Sequence, residues 1–390
     1  MANEIVGVVG TGTMGAGIAQ LALEHGHEVV VHDVDEAALE RGRARIREGL
    51  ARRAAKLDLD ANSIDAWVDG RLAGLREADT LAAVAGEAEV VIEAALEDLG
   101  LKRELFRALD AAAPPDAILA TNTSALSVGA IGEIVSRPER IVGLHFFNPA
   151  PVMRLVEVVA SPRTAADVVD RAIALVESWG RTAVRSADSP GFIVNRVNRP
   201  YTIEALRMLE AAEATVAAID GAMKLEGFPM GPFELIDLAG VDVNLLAATG
   251  VWEGLGRPDR LRPSPIQERL VEEGRLGRKT GSGFYDYGGP APAVAAEFAG
   301  ARSDLEPGRI RERITLAIVD EAWRALGEHV AGPDEIDVAL RLGAAHPVGP
   351  FERTDALGGP AAVIERLRAL GREVAPALAS RAAGSAPRGR

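Results

Sequence analysis

Ile5-Val-Gly-Val-Val9 has the apolar character of a buried parallel strand, and it runs straight into Gly10-Thr-Gly12-Thr13-Met14-Gly15. Ala16 to Glu24 then reads as a helix ending at Gly26, and His27 to His32 as a second strand closing at Asp33. No other feature constrains the fold as strongly. Gly10 permits a tight turn, Gly12 lets the backbone approach a pyrophosphate, and Gly15 lets the helix pack close to the strand. The helix N-terminus presents N–H groups and a positive dipole end to phosphate. A lone GxGxxG is weak evidence. Placed between strand and helix, with an acid eighteen residues after Gly15, it reads as a dinucleotide site in a doubly wound sheet of Rossmann type. Asp33 selects the cofactor, because its carboxylate accepts from a ribose 2′-OH and repels a 2′-phosphate. Val34 and Asp35 supply no arginine for such a phosphate, so NAD is expected over NADP. Asp33 as a helix N-cap before Glu36 is compatible with that role.

The 390 residues are enough for two or three cores. A net charge of −14 argues against nucleic acid as a partner. The chain has no cysteine, which excludes disulfides, thiolate catalysis and Cys-ligated metals. Its six histidines form no metal-binding pair with acids in place, so no metal is expected. No apolar run reaches membrane-spanning length, and a strand follows Met1-Ala-Asn-Glu without room for a leader, so a cytoplasmic protein with no membrane partner is expected.

Further strands are expected at Glu89–Glu93, Ala117–Ala120, Arg140–Leu144, Leu155–Val159 and near Thr182–Val184. Glu97 to Lys102 and Thr121-Asn122-Thr123-Ser124 lie just past strand C-terminal ends, where open α/β sheets bind ligands. Ser124 is either a ligand contact there or a turn or N-cap serine. His145 and Glu157 stand twelve residues apart, around Asn148-Pro-Ala-Pro. A strand doubling back after that turn brings the carboxylate to the imidazole. It would fix the tautomer and leave the other nitrogen as a base. The plain alternative is a half-buried histidine satisfied by a chance acid. Ala38 to Lys56 is a strongly basic helix, either a solvated face or a dock for a phosphorylated substrate tail.

From Phe192 onward the periodicity is helical and internally repeated. Glu204-Ala-Leu-Arg, Ile219-Asp220, Gly231-Pro-Phe-Glu234, Asp237 and Gly240 recur as Glu321-Ala-Trp-Arg, Ile336-Asp337, Gly349-Pro-Phe-Glu352, Asp355 and Gly358. The expected architecture is therefore α/β plus all-α. The dinucleotide-binding domain covers 1–187, and two tandem homologous helical domains cover 188–288 and 304–381. Gly288–Ser303 reads as the linker and Ala382–Arg390 as a disordered tail. Asn195 of copy one is Glu312 in copy two, so copy one carries chemistry and copy two stability.

Gly10–Gln20, Glu93–Lys102, Asn122-Thr-Ser124, Gly143–Pro149, Pro190–Arg196 and Gly277–Tyr285 together resemble L-3-hydroxyacyl-CoA dehydrogenase, in particular the 3-hydroxybutyryl-CoA subgroup. The resemblance implies NAD-dependent oxidation of a short (S)-3-hydroxyacyl-CoA thioester. His145 is then the general base and Glu157 its orienting partner, with Ser124 and Asn195 hydrogen-bonding the reacting oxygens. It places Glu97, Lys102, Asn122, Asn148 and Lys279 along the cofactor, and Ser124 and Lys56 toward coenzyme A. Gly49 stands where the family often has a small hydroxyl residue. Read singly, Asn195 is equally a helix cap, Lys102 an exposed helical lysine and Lys279 a solvated loop lysine. The duplication implies a monomer with an internal pseudo-dimer, or a homodimer. Alternatives are a 3-hydroxyadipyl-CoA dehydrogenase, a free hydroxy-acid or sugar-acid dehydrogenase, and a catalytically silent NAD-binding structural protein. Dehydrogenases of the 6-phosphogluconate and 3-hydroxyisobutyrate type use a catalytic lysine, and the His–Glu pair argues against them.

Overall fold

Valine and isoleucine fill the strands of the first half of the chain, as strands buried on both faces require. The computed structural model describes residues 4–57, 59–299 and 305–385, which fall into two units, Met1–Ser189 and Pro190–Arg390. The first unit is an eight-stranded sheet. Its strands are β1 (Ile5–Val9), β2 (Glu28–His32), β3 (Leu75–Glu77), β4 (Val90–Glu93), β5 (Ile118–Thr121), β6 (Ile141–Phe146), β7 (Leu155–Ala160) and β8 (Thr182–Ala187). Their order is β3-β2-β1-β4-β5-β6-β7-β8. β1 to β6 are mutually parallel, β7 runs antiparallel to β6, and β8 is parallel to β7. The strand order reverses direction at β1, between β2 and β4, where ligands enter such sheets.

The helices of this unit are α1 (Thr13–Glu24), α2 (Glu36–Ala54), α3 (Ala61–Leu72), α4 (Leu81–Glu87), α5 (Leu99–Ala112), α6 (Val128–Gly132) and α7 (Ala166–Ser178). Ile18, Leu21, Ile46 and Leu50 pack with Val6, Val8, Val29 and Val31 in one core. The basic helix ends at Ala54, so Lys56 lies beyond it, exposed in a turn. The N-cap of that helix is Asp35, which accepts from Ala38 N–H, and not Asp33. α3, β3 and α4 lie between expected elements, where the sequence shows no clear period. β3 has only three residues, two of them charged, and carries no apolar signal. Met1–Asn3 lie outside the described residues.

The second unit keeps both helical copies together, because their helices pack on one another. Copy one comprises α8 (Val194–Val197), α9 (Arg199–Glu210), α10 (Val216–Leu225), α11 (Pro232–Ala239), α12 (Val241–Gly254) and α13 (Pro265–Glu272). Copy two comprises α14 (Pro307–Gly327), α15 (Pro333–Gly343), α16 (Pro350–Ala356), α17 (Pro360–Ala369) and α18 (Pro376–Ser385). Pro200 at the start of α9 separates it from α8. Its counterpart Ala317 lets α14 run unbroken.

The repeated sequence has one physical cause in both copies. Asp220 accepts from the N–H groups of Phe233 (2.9 Å) and Glu234 (3.1 Å), and Asp337 from those of Phe351 (2.8 Å) and Glu352 (3.0 Å). Each aspartate thus satisfies the start of the following Gly-Pro-Phe-Glu helix. A Cβ on Gly231 or Gly349 would lie 2.3 Å from that aspartate, so only glycine fits.

The proposed linker is partly ordered. β9 (Tyr285–Asp286) pairs antiparallel with β10 (Ala293–Val294), and Phe298 is buried, while residues 300–304 lie outside the described residues. The proposed disordered tail begins instead inside α18. Leu378 of that helix is buried in the copy-two core with Ala382 packed against it, and 386–390 lie outside the described residues.

Candidate active site

The loop after β1 has the geometry its glycines require. Gly10 has φ +88°, and a Cβ there would meet the Ala94 carbonyl at 2.9 Å. A Cβ on Gly15 would stand 1.7 Å from the Gly10 carbonyl oxygen. At Gly12, the N-cap of α1, a Cβ would meet nothing within 4 Å. The start of α1 is therefore an open cradle of backbone N–H groups with Thr13 and Met14 beside it, and a pyrophosphate fits it. Asp33 is drawn toward the same loop. Its Oδ2 accepts from Thr11 N–H (2.6 Å) and Oγ1–H (2.7 Å), and Oδ1 accepts from Val34 N–H (2.7 Å). Burial raises this carboxyl, but those hydrogen bonds outweigh it and hold it below its ordinary value. An ionised acid thus marks the end of β2, as a ribose diol requires.

At the ends of β4 and β5 the structure brings Glu97, Lys102 and Ser124 together. Lys102 is fully buried, contrary to the picture of an exposed helical lysine. Its Nζ donates to Glu93 Oε1 (2.7 Å) and Oε2 (2.9 Å) and lies 3.5 Å from Glu97 Oε2. Glu97 Oε1 accepts from Thr123 Oγ1–H (2.6 Å), Ser124 N–H (2.9 Å) and Ala125 N–H (3.1 Å). Ser124 is exposed and does not cap α6. Ser127 does, and Asp188 holds Ser127, Val128 and Gly129 from the end of β8. Asn122 Oδ1 accepts from Phe146 N–H (2.9 Å), which ties the β5 loop to the end of β6.

His145 lies within β6, opposite Glu157 of β7 in antiparallel register. Its Nδ1 is 2.6 Å from Glu157 Oε2, and both side chains are buried. Buried carboxylates need a partner, and the imidazole is one. With Nδ1–H donating to Glu157, the lone pair resides on Nε2. The turn between the strands holds exposed Asn148, whose peptide bond to Pro149 is cis. Lys56 joins none of these groups. A Cβ at Gly49 would lie 1.9 Å from Gln20 Oε1, so the Gln20 amide leaves no room for a side chain there. Gln20 in turn donates to Glu24 Oε1 (2.6 Å).

In the helical unit, Asn195 sits half-buried in α8, while the cap position of α9 belongs to Asn198, so Asn195 is no helix cap. Lys279 donates to Asp242 Oδ1 (2.6 Å) and Oδ2 (2.7 Å) and is therefore an ion-paired rather than a merely solvated lysine. In copy two, Glu312 pairs with Arg309 and Arg366. Thr11, Glu93, Asp188 and Asp242 were not singled out as site residues from sequence. Of these only Thr11 stands beside such residues, between Gly10 and Gly12. Among the described residues no group of three or more His, Asp or Glu side chains could hold a metal, and no single helix is long and apolar enough to cross a membrane.

The sequence model described as 3-hydroxyacyl-CoA dehydrogenase, NAD binding domain, matches residues 5–189, and that of the C-terminal domain matches 191–287 and 308–377. The chain is 46% identical over 292 residues to 3-hydroxyadipyl-CoA dehydrogenase of Escherichia coli, covering 75% of this chain and 60% of that protein. It is 42% identical over 285 residues to mitochondrial hydroxyacyl-coenzyme A dehydrogenase of rat, covering 72% and 90%. A crystal structure of 3-hydroxybutyryl-CoA dehydrogenase from Escherichia coli K12 matches with a TM-score of 0.88 at 33% identity, over 98% of this chain and 99% of that one.

Proposed function

Because the chain belongs to the 3-hydroxyacyl-CoA dehydrogenase family, we propose that it oxidises short (S)-3-hydroxyacyl-CoA thioesters to 3-oxoacyl-CoA with NAD, with His145 as general base. The observation that carries this reading is the 2.6 Å His145–Glu157 hydrogen bond in a buried antiparallel pair. His145 Nε2 takes the proton of the 3-hydroxyl. Glu157 holds the ring and stabilises the imidazolium that results. Bound NAD supplies the acceptor for the C3 hydride. Ser124 hydrogen-bonds the reacting oxygen, and its loop is held for that by Glu97. The family likeness assigns Gly10, Gly12, Thr13, Met14, Gly15, Asp33, Glu97, Lys102, Asn122, Asn148 and Lys279 to the cofactor, Asn195 to the substrate and Lys56 to the coenzyme A phosphates.

The likeness to an enzyme named for 3-hydroxyadipyl-CoA favours a second acyl group, a dicarboxylic one. The test is NADH formation with (S)-3-hydroxybutyryl-CoA, 3-hydroxyadipyl-CoA and free 3-hydroxybutyrate. Turnover that requires the thioester supports the reading, and the better ester names the acyl group. Turnover with the free acid alone makes the protein a hydroxy-acid dehydrogenase. No turnover with any of them favours a silent NAD-binding scaffold. The reciprocal ion pairs between the helical copies, Arg196 with Glu321 and Arg313 with Glu204, favour a monomer with an internal pseudo-dimer. Light scattering on a sizing column tests that.

A further inference from the structure

Glu93 is fully buried at the end of β4, and every polar atom it meets belongs to the site's framework. Its Oε1 accepts from Lys102 Nζ (2.7 Å) and Ala95 N–H (2.7 Å), and its Oε2 from Lys102 Nζ (2.9 Å) and Thr121 Oγ1–H (2.7 Å). Lys102 is as deeply buried and has a second carboxylate within reach, Glu97 Oε2 at 3.5 Å. Two carboxylates therefore share one ammonium, and the nearer, Glu93, takes it. Glu97 is left to bind the N–H groups of Ser124 and Ala125 and the Thr123 hydroxyl.

Fold stability alone does not account for this arrangement. A buried ion pair is often no more stable than an apolar pair of the same shape, whereas a buried ammonium that loses its carboxylate is costly. Without the Glu93 charge, Lys102 has one anion left, Glu97, and is drawn onto the carboxylate that holds the Ser124 loop. We propose that Glu93 is a positioning residue for the reaction: by retaining Lys102 it reserves Glu97 for residues 123–125 and so sets Ser124 against the substrate. This rests on the reading above, in which Ser124 bonds the reacting oxygen.

The test is a double-mutant cycle on the full chain, with kcat/KM for (S)-3-hydroxybutyryl-CoA measured at saturating NAD. Glu93→Gln is expected to lower it by about 10- to 100-fold, the scale of a misplaced substrate contact. In a Ser124→Ala background the same change is expected to cost little more, because its route to the substrate is already gone. Glu93→Asp, which keeps the charge, is expected to lose much less than Glu93→Gln. If Glu93→Gln does not fold, the cycle is run with Glu93→Asp, whose smaller loss, from its shortened reach to Lys102, is expected in the wild-type background and not in the Ser124→Ala one. Equal losses in both backgrounds, or no loss from Glu93→Gln, overturn the proposal while the wild type remains active. A wild type inactive on every acyl-CoA overturns the functional reading and this inference with it.

Discussion

Asp33 stands just past β2 with its carboxylate held by the backbone and hydroxyl of Thr11. Its place after the second strand makes it the expected ribose ligand. Its hold on Thr11 was not visible, because nothing in local sequence says which hydroxyl a carboxylate will meet across the sheet. Burial raises the Asp33 carboxyl, and the Thr11 and Val34 hydrogen bonds more than offset that and hold it below its ordinary value, so its charge faces the cofactor site. Asp33→Asn is expected to raise KM for NAD by about 10- to 100-fold, the worth of a hydrogen bond to a charged group. The preference over NADP should narrow in the same variant. Steady-state KM values for both cofactors check this, and an unchanged preference would count against the assignment. His145 and Glu157 were legible because a strand, a Pro-rich turn and a returning strand leave few registers. Glu93 and Asp242 were not, because ion pairing through space leaves no periodic trace.

At the scale of elements, the loop after β1 and α1 approach α2 closely enough to exclude side chains from one face of it, at Gly42 and at Gly49. A Cβ on Gly42 would lie 2.4 Å from Thr11 Cβ, a branched side chain with no room to swing aside. Gly42→Ala is expected to destabilise the fold by about 1–3 kcal/mol and to weaken NAD binding through Thr11. Gly70, exposed in α3 with nothing within 4 Å of a Cβ, is the control. There alanine should be neutral or stabilising by up to about 1 kcal/mol, since glycine is a poor helix former. Denaturant midpoints of the two variants separate close packing from a general effect of removing glycine. The elements that were read correctly are those with long apolar runs or a repeated motif. β3 and the β9–β10 hairpin were missed because two or three residues carry no period.

Across the whole helical unit, the repeat becomes a pseudo-twofold interface. Arg196 of copy one donates to Glu321 of copy two at 2.9 Å, and Arg313 of copy two donates to Glu204 of copy one at 3.0 Å. These are the same two positions exchanged, as an isologous interface demands. Arg260 joins Glu321, and Arg372 joins Glu204. The repeat was legible in sequence, but not which side chains would cross between the copies. Glu321→Ala leaves the fully buried Arg196 without its central partner and is expected to cost about 3–5 kcal/mol in equilibrium unfolding. His346 lies in the same unit, buried against Phe228 and 2.7 Å from Asn198 Oδ1. Burial first, and then the Arg353 charge, push it down from 6.5 to about 3. The folded chain therefore keeps it neutral while the unfolded chain protonates it. Its contribution is intact above pH 6.5 and is lost as pH falls toward 3, by at most about 1.4 kcal/mol per pH unit. Thermal midpoints between pH 7 and 5 should fall more steeply for the wild type than for His346→Gln, which keeps a donor to Asn198. Parallel curves would deny the histidine that role.

We propose the buried His145–Glu157 pair as the source of the base. The most direct measurement is kcat for NADH formation from (S)-3-hydroxybutyryl-CoA by wild type, His145→Ala and Glu157→Gln, beside NAD affinity of each. A fall of roughly 10²–10⁴-fold for His145→Ala is predicted, with a large fall for Glu157→Gln and NAD binding unchanged. Turnover by His145→Ala comparable to wild type would contradict it.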